Sequence, residues 1–210
     1  MRNFIFAVFF LVLSAANFAS AAEIDRAYYL GAPDISYPVV IAKNSTATEK
    51  INNVIRAEVK KIIDTANKNL EDGTFNSVTI NVDYQIPCNH ENGILSVILN
   101  AYVNYEHSAH PSTFCYGLNF NSDSGVRLTS DTLTEIAKKP TDYTPADITA
   151  KLQKYAAQKG FPLNVDFQGL NEVPQNFYFD DNLHVHFVFQ QYEVAAYAVG
   201  IIDLDADATY

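Results

Sequence analysis

A long amphipathic segment between Thr46 and Asp72 limits the folds open to this chain. Thr46 with Glu49 three residues later has the pattern of a helix capping box, and Asp72-Gly73 is a helix stop. Between them, apolar residues recur at helical spacing: Ile51, Val54, Ile55, Val59, Ile62, Ile63, Ala66 and Leu70. Because a helix with one apolar stripe is stable mainly through packing, this stripe must lie against another element, and we expect a sheet.

Sheet-forming segments follow this helix. Residues 78–86 alternate apolar and polar side chains, which predicts a strand with one buried face, whereas Ile94 to Tyr105 is apolar on both faces and suits a central strand. A second helix is predicted from Thr144-Pro145 to Gly160. The remaining predicted strands are 37–42, 114–120, 176–180 and 183–189, the last two forming a hairpin. The pattern predicts an α+β fold in which antiparallel sheets pack with two main amphipathic helices.

The N-terminus has the pattern of a secretory signal peptide. Met1-Arg2-Asn3 is followed by an apolar run to Leu13, and Ala19-Ser20-Ala21 provides the small residues that signal peptidase recognises. We therefore expect residues 1–21 to be removed and the protein to be periplasmic or extracellular. No later apolar stretch approaches the roughly 20 residues of a membrane-spanning helix, so no transmembrane anchor is expected in the mature form. The mature chain divides into 22–112 and 113–210, which can form one compact unit.

The charge balance restricts the partners. The chain has 14 Lys plus Arg against 24 Asp plus Glu, a formal charge of −10, and removal of residues 1–21 takes away only Arg2. A surface of this sign repels phosphate backbones and attracts cationic molecules. We therefore expect no nucleic-acid partner.

Cys88 and Cys115 are the two cysteines of the chain. Export favours a disulfide between them. If residues 78–120 form a meander, however, the two cysteines lie near opposite ends of the central strand, about 30 Å apart at the rise of an extended chain. The Cys88–Cys115 disulfide is therefore doubtful.

Local motifs for catalysis are absent from the sequence. It contains no GxSxG, Walker or GxGxxG motif, and no HExxH or CxxC pattern. His184 and His186 share one strand face and are the alternative candidates for a metal site, but alternating histidines on a wet strand face are more often solvated. We expect no enzyme activity, no metal and no cofactor.

Two stretches resemble the RsiV-like extracellular domain family. The first, residues 94–128, contains His110-Pro111 after a small-residue segment; the second, residues 176–200, ends in a signature with Tyr192, Glu193, Tyr197 and Gly200. The resemblance implies a bacterial surface or periplasmic protein of α+β fold. Members include the lysozyme-binding ectodomain of an anti-sigma factor and domains attached to polysaccharide deacetylases. This chain has Ala196 where the family pattern has Pro.

These observations lead to one expected function and two alternatives. We expect an exported, non-catalytic binding module that recognises a cationic protein such as lysozyme or a cell-wall component such as a glycan. Ser108, His110 and Pro111 are the candidate ligand-binding residues, whereas the closing signature is expected to be mainly structural. The alternatives are a metal-dependent cell-wall hydrolase or deacetylase accessory enzyme and a structural envelope protein.

Overall fold

The computed structural model describes residues 21–71, 73–136 and 143–210. The signal peptide predicted at 1–21 therefore lies almost entirely outside the described residues. The elements are β1 (Glu23–Tyr28), β2 (Ser36–Ile41), α1 (Ser45–Glu71), β3 (Val78–Asn89), β4 (Ile94–Tyr105), β5 (Ser112–Asn121), β6 (Val126–Leu128), α2 (Leu133–Ile136), α3 (Pro145–Lys159), β7 (Phe177–Phe179), β8 (Val185–Phe189) and β9 (Ile202–Asp205). Every strand pair is antiparallel, which confirms the predicted α+β class.

The largest sheet has the strand order β3-β4-β5-β6, and α1 covers one of its faces. The apolar stripe of the helix meets alternate side chains of β4, including Leu95, Val97 and Leu99, all fully buried. Asn52, a buried polar residue of α1, bonds both the backbone N–H and the carbonyl of Val40 at 2.8 Å. The helix is thus fixed to β2 as well as to the sheet.

A two-stranded ribbon of β1 and β2 lies beside β3. Its register pairs Glu23 with Ile41 and Tyr28 with Ser36, and a parallel bridge joins Ile35 to Val82. The sequence pattern predicted β2 but not β1. β1 contains Asp25 and Arg26 and is exposed at most positions, so it lacks the apolar alternation that identifies a strand.

The second core belongs to the C-terminal sheet, with strand order β7-β8-β9. Phe177, Phe179, Phe187 and Phe189 are all essentially inaccessible to solvent and pack with α3 in one apolar cluster. The predicted limits of α3 are confirmed: the Thr144 hydroxyl accepts from the Asp147 N–H, and Gly160 ends the helix.

Buried polar side chains connect the two sheets. The backbone of β7 approaches β5 so closely that a Cβ atom on Gly117 would lie 2.0 Å from the Phe177 carbonyl oxygen, so glycine is required there. Asn119 donates to this same carbonyl at 2.7 Å, Ser96 donates to Asn119 at 2.7 Å, and the Phe179 N–H donates to Ser96 at 2.9 Å. We call Ser96, Asn119 and the β7 backbone the polar seam.

Two predictions about local structure require correction. The cap of α1 is Asn44, whose side chain accepts from the Ala47 N–H at 2.7 Å, not Thr46. The strand β9 was not predicted, because only four residues form it and two of them are aspartates.

The cysteines are both free. The two cysteines lie closer together than the roughly 30 Å expected from the sequence. Cys88 pairs with Ser96 and Cys115 with Asn100, so their positions differ by four residues along β4, or about 13 Å at the rise of a strand. Two strand spacings add to this, which exceeds the reach of a disulfide.

Candidate functional site

The loop between β4 and β5 contacts the closing segment of the chain. The ring of His110 stacks on Tyr197 with 3.9 Å between centroids, and its Nε2 atom lies 3.1 Å from the Tyr192 hydroxyl. The Tyr197 hydroxyl donates to the Pro111 carbonyl at 2.8 Å. Two stretches of sequence about 80 residues apart therefore form one surface cluster, which we call the His110 cluster: His110, Pro111, Tyr192 and Tyr197.

Ser108 and Glu193 support the two segments without joining them. The Ser108 hydroxyl donates to the His110 carbonyl at 3.2 Å, which holds the loop in its turn. The Glu193 carboxylate accepts from the Gln190 N–H at 2.7 Å and stabilises the turn that carries Tyr192. Gly200 has φ +81° and ψ −155°, a backbone conformation that favours glycine. These hydrogen bonds and this conformation hold the backbone of the two segments.

Tyr192 is the exposed member of the cluster. Its side chain is 60% exposed although it is a large aromatic residue, and its φ is +67°, which is strained for a bulky side chain. Asn164 donates to the Tyr192 carbonyl at 3.2 Å and holds this conformation. A strained backbone that presents an aromatic ring to solvent is a feature of recognition sites.

A second group of ionisable residues lies on the face of the C-terminal sheet that is opposite its phenylalanine core. His186 Nδ1 is 2.9 Å from an oxygen of Asp203, and the Tyr178 hydroxyl donates to the other oxygen at 2.6 Å. His184 Nδ1 is 3.4 Å from Asp205, and His186 Nε2 is 3.8 Å from Asp180. We call these residues the aspartate–histidine face.

The carboxylates change the protonation of this face. Partial burial by itself lowers the pKa of His186, but the hydrogen bond and charge of Asp203, with Asp205 and Asp180, outweigh it and raise the pKa overall. Burial is the main cause that raises the pKa of Tyr178, with Asp203 adding to it. His184 and His186 therefore pair with carboxylates. In the described part of the chain, no group of three or more His, Cys, Asp or Glu side chains is found that could hold a metal ion.

Neither cysteine has the environment of a nucleophile. Burial, with a contribution from Asp181, raises the pKa of Cys88 to about 11. Burial and the charge of Asp203 raise the pKa of Cys115 to about 12. Because the thiolate is the reactive form, both thiols are inert near neutral pH.

A cleft of about 670 Å³ lies between the β1-β2 ribbon and the C-terminal sheet. Its floor is the face of the β3-β4-β5 sheet opposite α1. Its walls are the β1-β2 ribbon, through Arg26, Asp34 and Ser36, and the C-terminal sheet, through Tyr178 and Asp203. The sequence did not indicate this cleft, although Asn81, Asp83 and Gln85, the polar residues of an alternating strand pattern, lie in its floor. The walls come from segments distant in sequence, and periodicity does not indicate where they pack.

The C-terminal part of the chain matches a known protein family. Residues 126–205 match DUF3298. This family is described as a protein of unknown function. The matched segment contains the aspartate–histidine face and Tyr192, Glu193, Tyr197 and Gly200, whereas His110 precedes it.

Two solved structures share the fold. A DUF3298 family member from Bacteroides fragilis has 14% sequence identity and a TM-score of 0.52, covering 88% of this chain and 87% of its own. A DUF3298 family protein from Pseudomonas aeruginosa PAO1 has 11% identity and a TM-score of 0.50, covering 88% of each chain. No curated protein matches this sequence. At these identities the likeness concerns the fold alone.

The excess of acidic residues is concentrated after Lys159. No Lys or Arg follows Lys159, whereas eight acidic residues do. Three of these, Asp180, Asp203 and Asp205, lie on the aspartate–histidine face. Among the described residues no helix is long and apolar enough to cross a membrane.

Proposed function

We propose that this protein is an exported, non-catalytic binding module that recognises a cationic protein, with lysozyme as the model partner. The proposal extends the RsiV-like resemblance of the sequence to a chain whose C-terminal part matches a family of unknown function. Export is supported by the signal-peptide pattern of residues 1–21.

The observation that carries the proposal is the one-sided charge of residues 160–210. Eight carboxylates without a single Lys or Arg produce a negative potential on that part of the surface. Such a surface accelerates and orients the approach of a basic protein, and the effect falls as salt screens it.

Charge alone provides no specific contact, and the His110 cluster supplies one. Tyr192 projects an exposed ring, and tyrosine is enriched among the residues that dominate binding energy at interfaces. Electron-rich aromatic faces also attract Lys and Arg side chains. We therefore assign steering to the acidic surface and anchoring to Tyr192.

The test is calorimetric titration of the purified protein with lysozyme at low and at moderate salt. We expect saturable binding at both, weaker at moderate salt. Asp181→Lys, at an exposed position, should weaken binding about fivefold at low salt because it reverses one charge of the acidic surface. Tyr192→Ala should weaken binding at both salt concentrations.

The matched control is Glu49→Lys, which makes the same charge change at an exposed position of α1. If Glu49→Lys weakens binding as much as Asp181→Lys, net charge and not this surface is responsible. Absence of any heat with lysozyme at either salt would reject lysozyme as the partner.

A further inference from the structure

The floor of the 670 Å³ cleft carries polar side chains on three neighbouring strands, with Ile98 and Cys115 among them. The strand register places Asn81 opposite Tyr102, and Tyr102 opposite Thr113; in the next row Asp83 lies opposite Asn100. The other face of the same strands is apolar and covered by α1. This face therefore carries polar side chains on three neighbouring strands. The β1-β2 ribbon and the C-terminal sheet flank it, and Asp83, Gln85 and Tyr102 are exposed to solvent within the cleft.

The amides of this floor are not used by the protein. Within residues 21–71, 73–136 and 143–210, the side chains of Asn81, Gln85 and Asn100 form no hydrogen bond, and neither does the Tyr102 hydroxyl. Asn52, Asn119 and Asn176 on other parts of the molecule, by contrast, are hydrogen-bonded to the backbone. Each free amide offers two donors and an acceptor with two lone pairs. The cleft thus presents unused hydrogen-bonding capacity at one place.

The walls determine the charge of a ligand that would fit. Asp34 and Asp203 line the cleft together with Asp83, whereas Arg26 is its one lining cation and lies 3.4 Å from Asp83. An anionic ligand is disfavoured by this balance. A ligand rich in hydroxyl groups, neutral or carrying amines, can accept from and donate to the amides and donate to the carboxylates.

The shape favours a sugar over a peptide strand. An extended peptide binds a sheet by adding to an exposed edge, where backbone groups are free. Here the ligand faces the side chains of central strands, and the volume falls within the usual range of ligand pockets, about 300–1,000 Å³. Tyr102 is 37% exposed and offers a ring against which a pyranose can lie.

We propose that this cleft is a binding site for a short oligosaccharide, neutral or amine-bearing, held by Asn81, Gln85, Asn100 and Tyr102. The site is separate from the His110 cluster and does not require a protein partner. Thr113 lies at one end of the cleft and is not part of the polar seam. Its backbone N–H donates a hydrogen bond of 2.9 Å to the side chain of Gln191, the residue before Tyr192. The two sites are therefore neighbours.

The experiment is a titration of the isotope-labelled protein followed by NMR, with three probes: cellotetraose, N-acetylglucosamine tetramer and glucosamine tetramer. We expect at least one to shift the side-chain amide signals of Asn81, Gln85 and Asn100 in a saturable manner. The cellulose fragment tests general sugar binding, the acetylated tetramer tests amide-bearing sugars, and the deacetylated tetramer tests the contribution of Asp34 and Asp203. Preference among the three identifies the sugar class.

Asn100→Ala should weaken binding about fivefold, as expected for a lost hydrogen bond, and Tyr102→Ala should weaken it similarly. Gln153→Ala, at an exposed position of α3, is the matched control and should bind as the unmodified protein does. The proposal is overturned if none of the three probes shifts the cleft signals, or if Asn100→Ala and Tyr102→Ala, folded by circular dichroism, bind the sugar unchanged. Lysozyme binding is measured separately, so failure of either proposal leaves the other intact.

Discussion

The imidazole of His186 lies near the carboxylates of Asp180, Asp203 and Asp205. Asp203 and Asp205 are distant from it in sequence, and a turn separates it from Asp180. Asp203 contributes the shortest contact, 2.9 Å, and the His186 side chain is 17% exposed. The sequence correctly predicted that His184 and His186 project to the polar face of β8. It did not predict their aspartates, because Asp203 and Asp205 belong to β9, a strand that the sequence pattern did not indicate.

This arrangement makes stability depend on pH. Because the pKa of His186 is raised in the folded protein, its protonated ring stabilises the fold below the pKa of the unfolded chain. The contribution is lost as the pH rises through the folded-state pKa. Asp203→Asn keeps the shape of the side chain but removes its charge. We expect the loss of unfolding free energy in this variant to be about 1 kcal/mol larger at pH 5.5 than at pH 8.5.

Urea denaturation at the two pH values measures this difference. His107→Gln is the control, because the His107 side chain is 83% exposed and should contribute little at either pH. An equal loss of stability in Asp203→Asn at both pH values would show that the charge of Asp203 does not act on His186.

Among the elements, α1 shows what sequence periodicity predicts well and what it does not. Its stripe of apolar residues and its end were predicted, since both follow from spacing within the helix. The capping residue was not, because Asn44 and Thr46 are both good caps by type. A contact outside the helix favours Asn44 as the cap. Its side chain also donates a hydrogen bond of 2.6 Å to the Asp123 carbonyl, in the turn after β5.

Substitution of the two residues separates the interpretations. Asn44→Ala should lower the free energy of unfolding by about 1 kcal/mol, the usual effect of removing a helix cap. Thr46→Ala should leave it nearly unchanged, since Thr46 is exposed in the first turn. Thermal and urea unfolding of the two variants measure this. A larger loss in Thr46→Ala would support the capping box that the sequence suggested.

At the scale of the whole molecule, two apolar cores meet across the polar seam. One core lies between α1 and the four-stranded sheet, and the other surrounds the phenylalanines of the C-terminal sheet. Sequence periodicity predicted the strands that form the cores but not how the sheets join. Ser96 and Asn119 occur within otherwise apolar or alternating runs, and their partners are backbone groups of β7. Only the packed structure reveals that these polar residues are buried, with exposures of 0% and 1%.

The seam should make the two cores unfold together. Asn119→Ala removes the donor to the Phe177 carbonyl and the acceptor of the Ser96 hydroxyl, and leaves both in a place that water does not reach. We expect a loss of about 2–3 kcal/mol, because unpaired buried polar groups carry a desolvation cost. Asn53→Ala, at an exposed position of α1 where the amide contacts only Arg56, is the control and should change little.

Cooperativity gives this last prediction a second measurement. In the unmodified protein, unfolding followed by far-ultraviolet circular dichroism and by tyrosine fluorescence should coincide, as expected when one transition includes both cores. In Asn119→Ala the two curves should separate, because the sheets are then held together more weakly than each core is held by itself. Coincident curves together with a loss below 1 kcal/mol would contradict the role given to the seam, and would place the coupling of the sheets in the close backbone contact at Gly117.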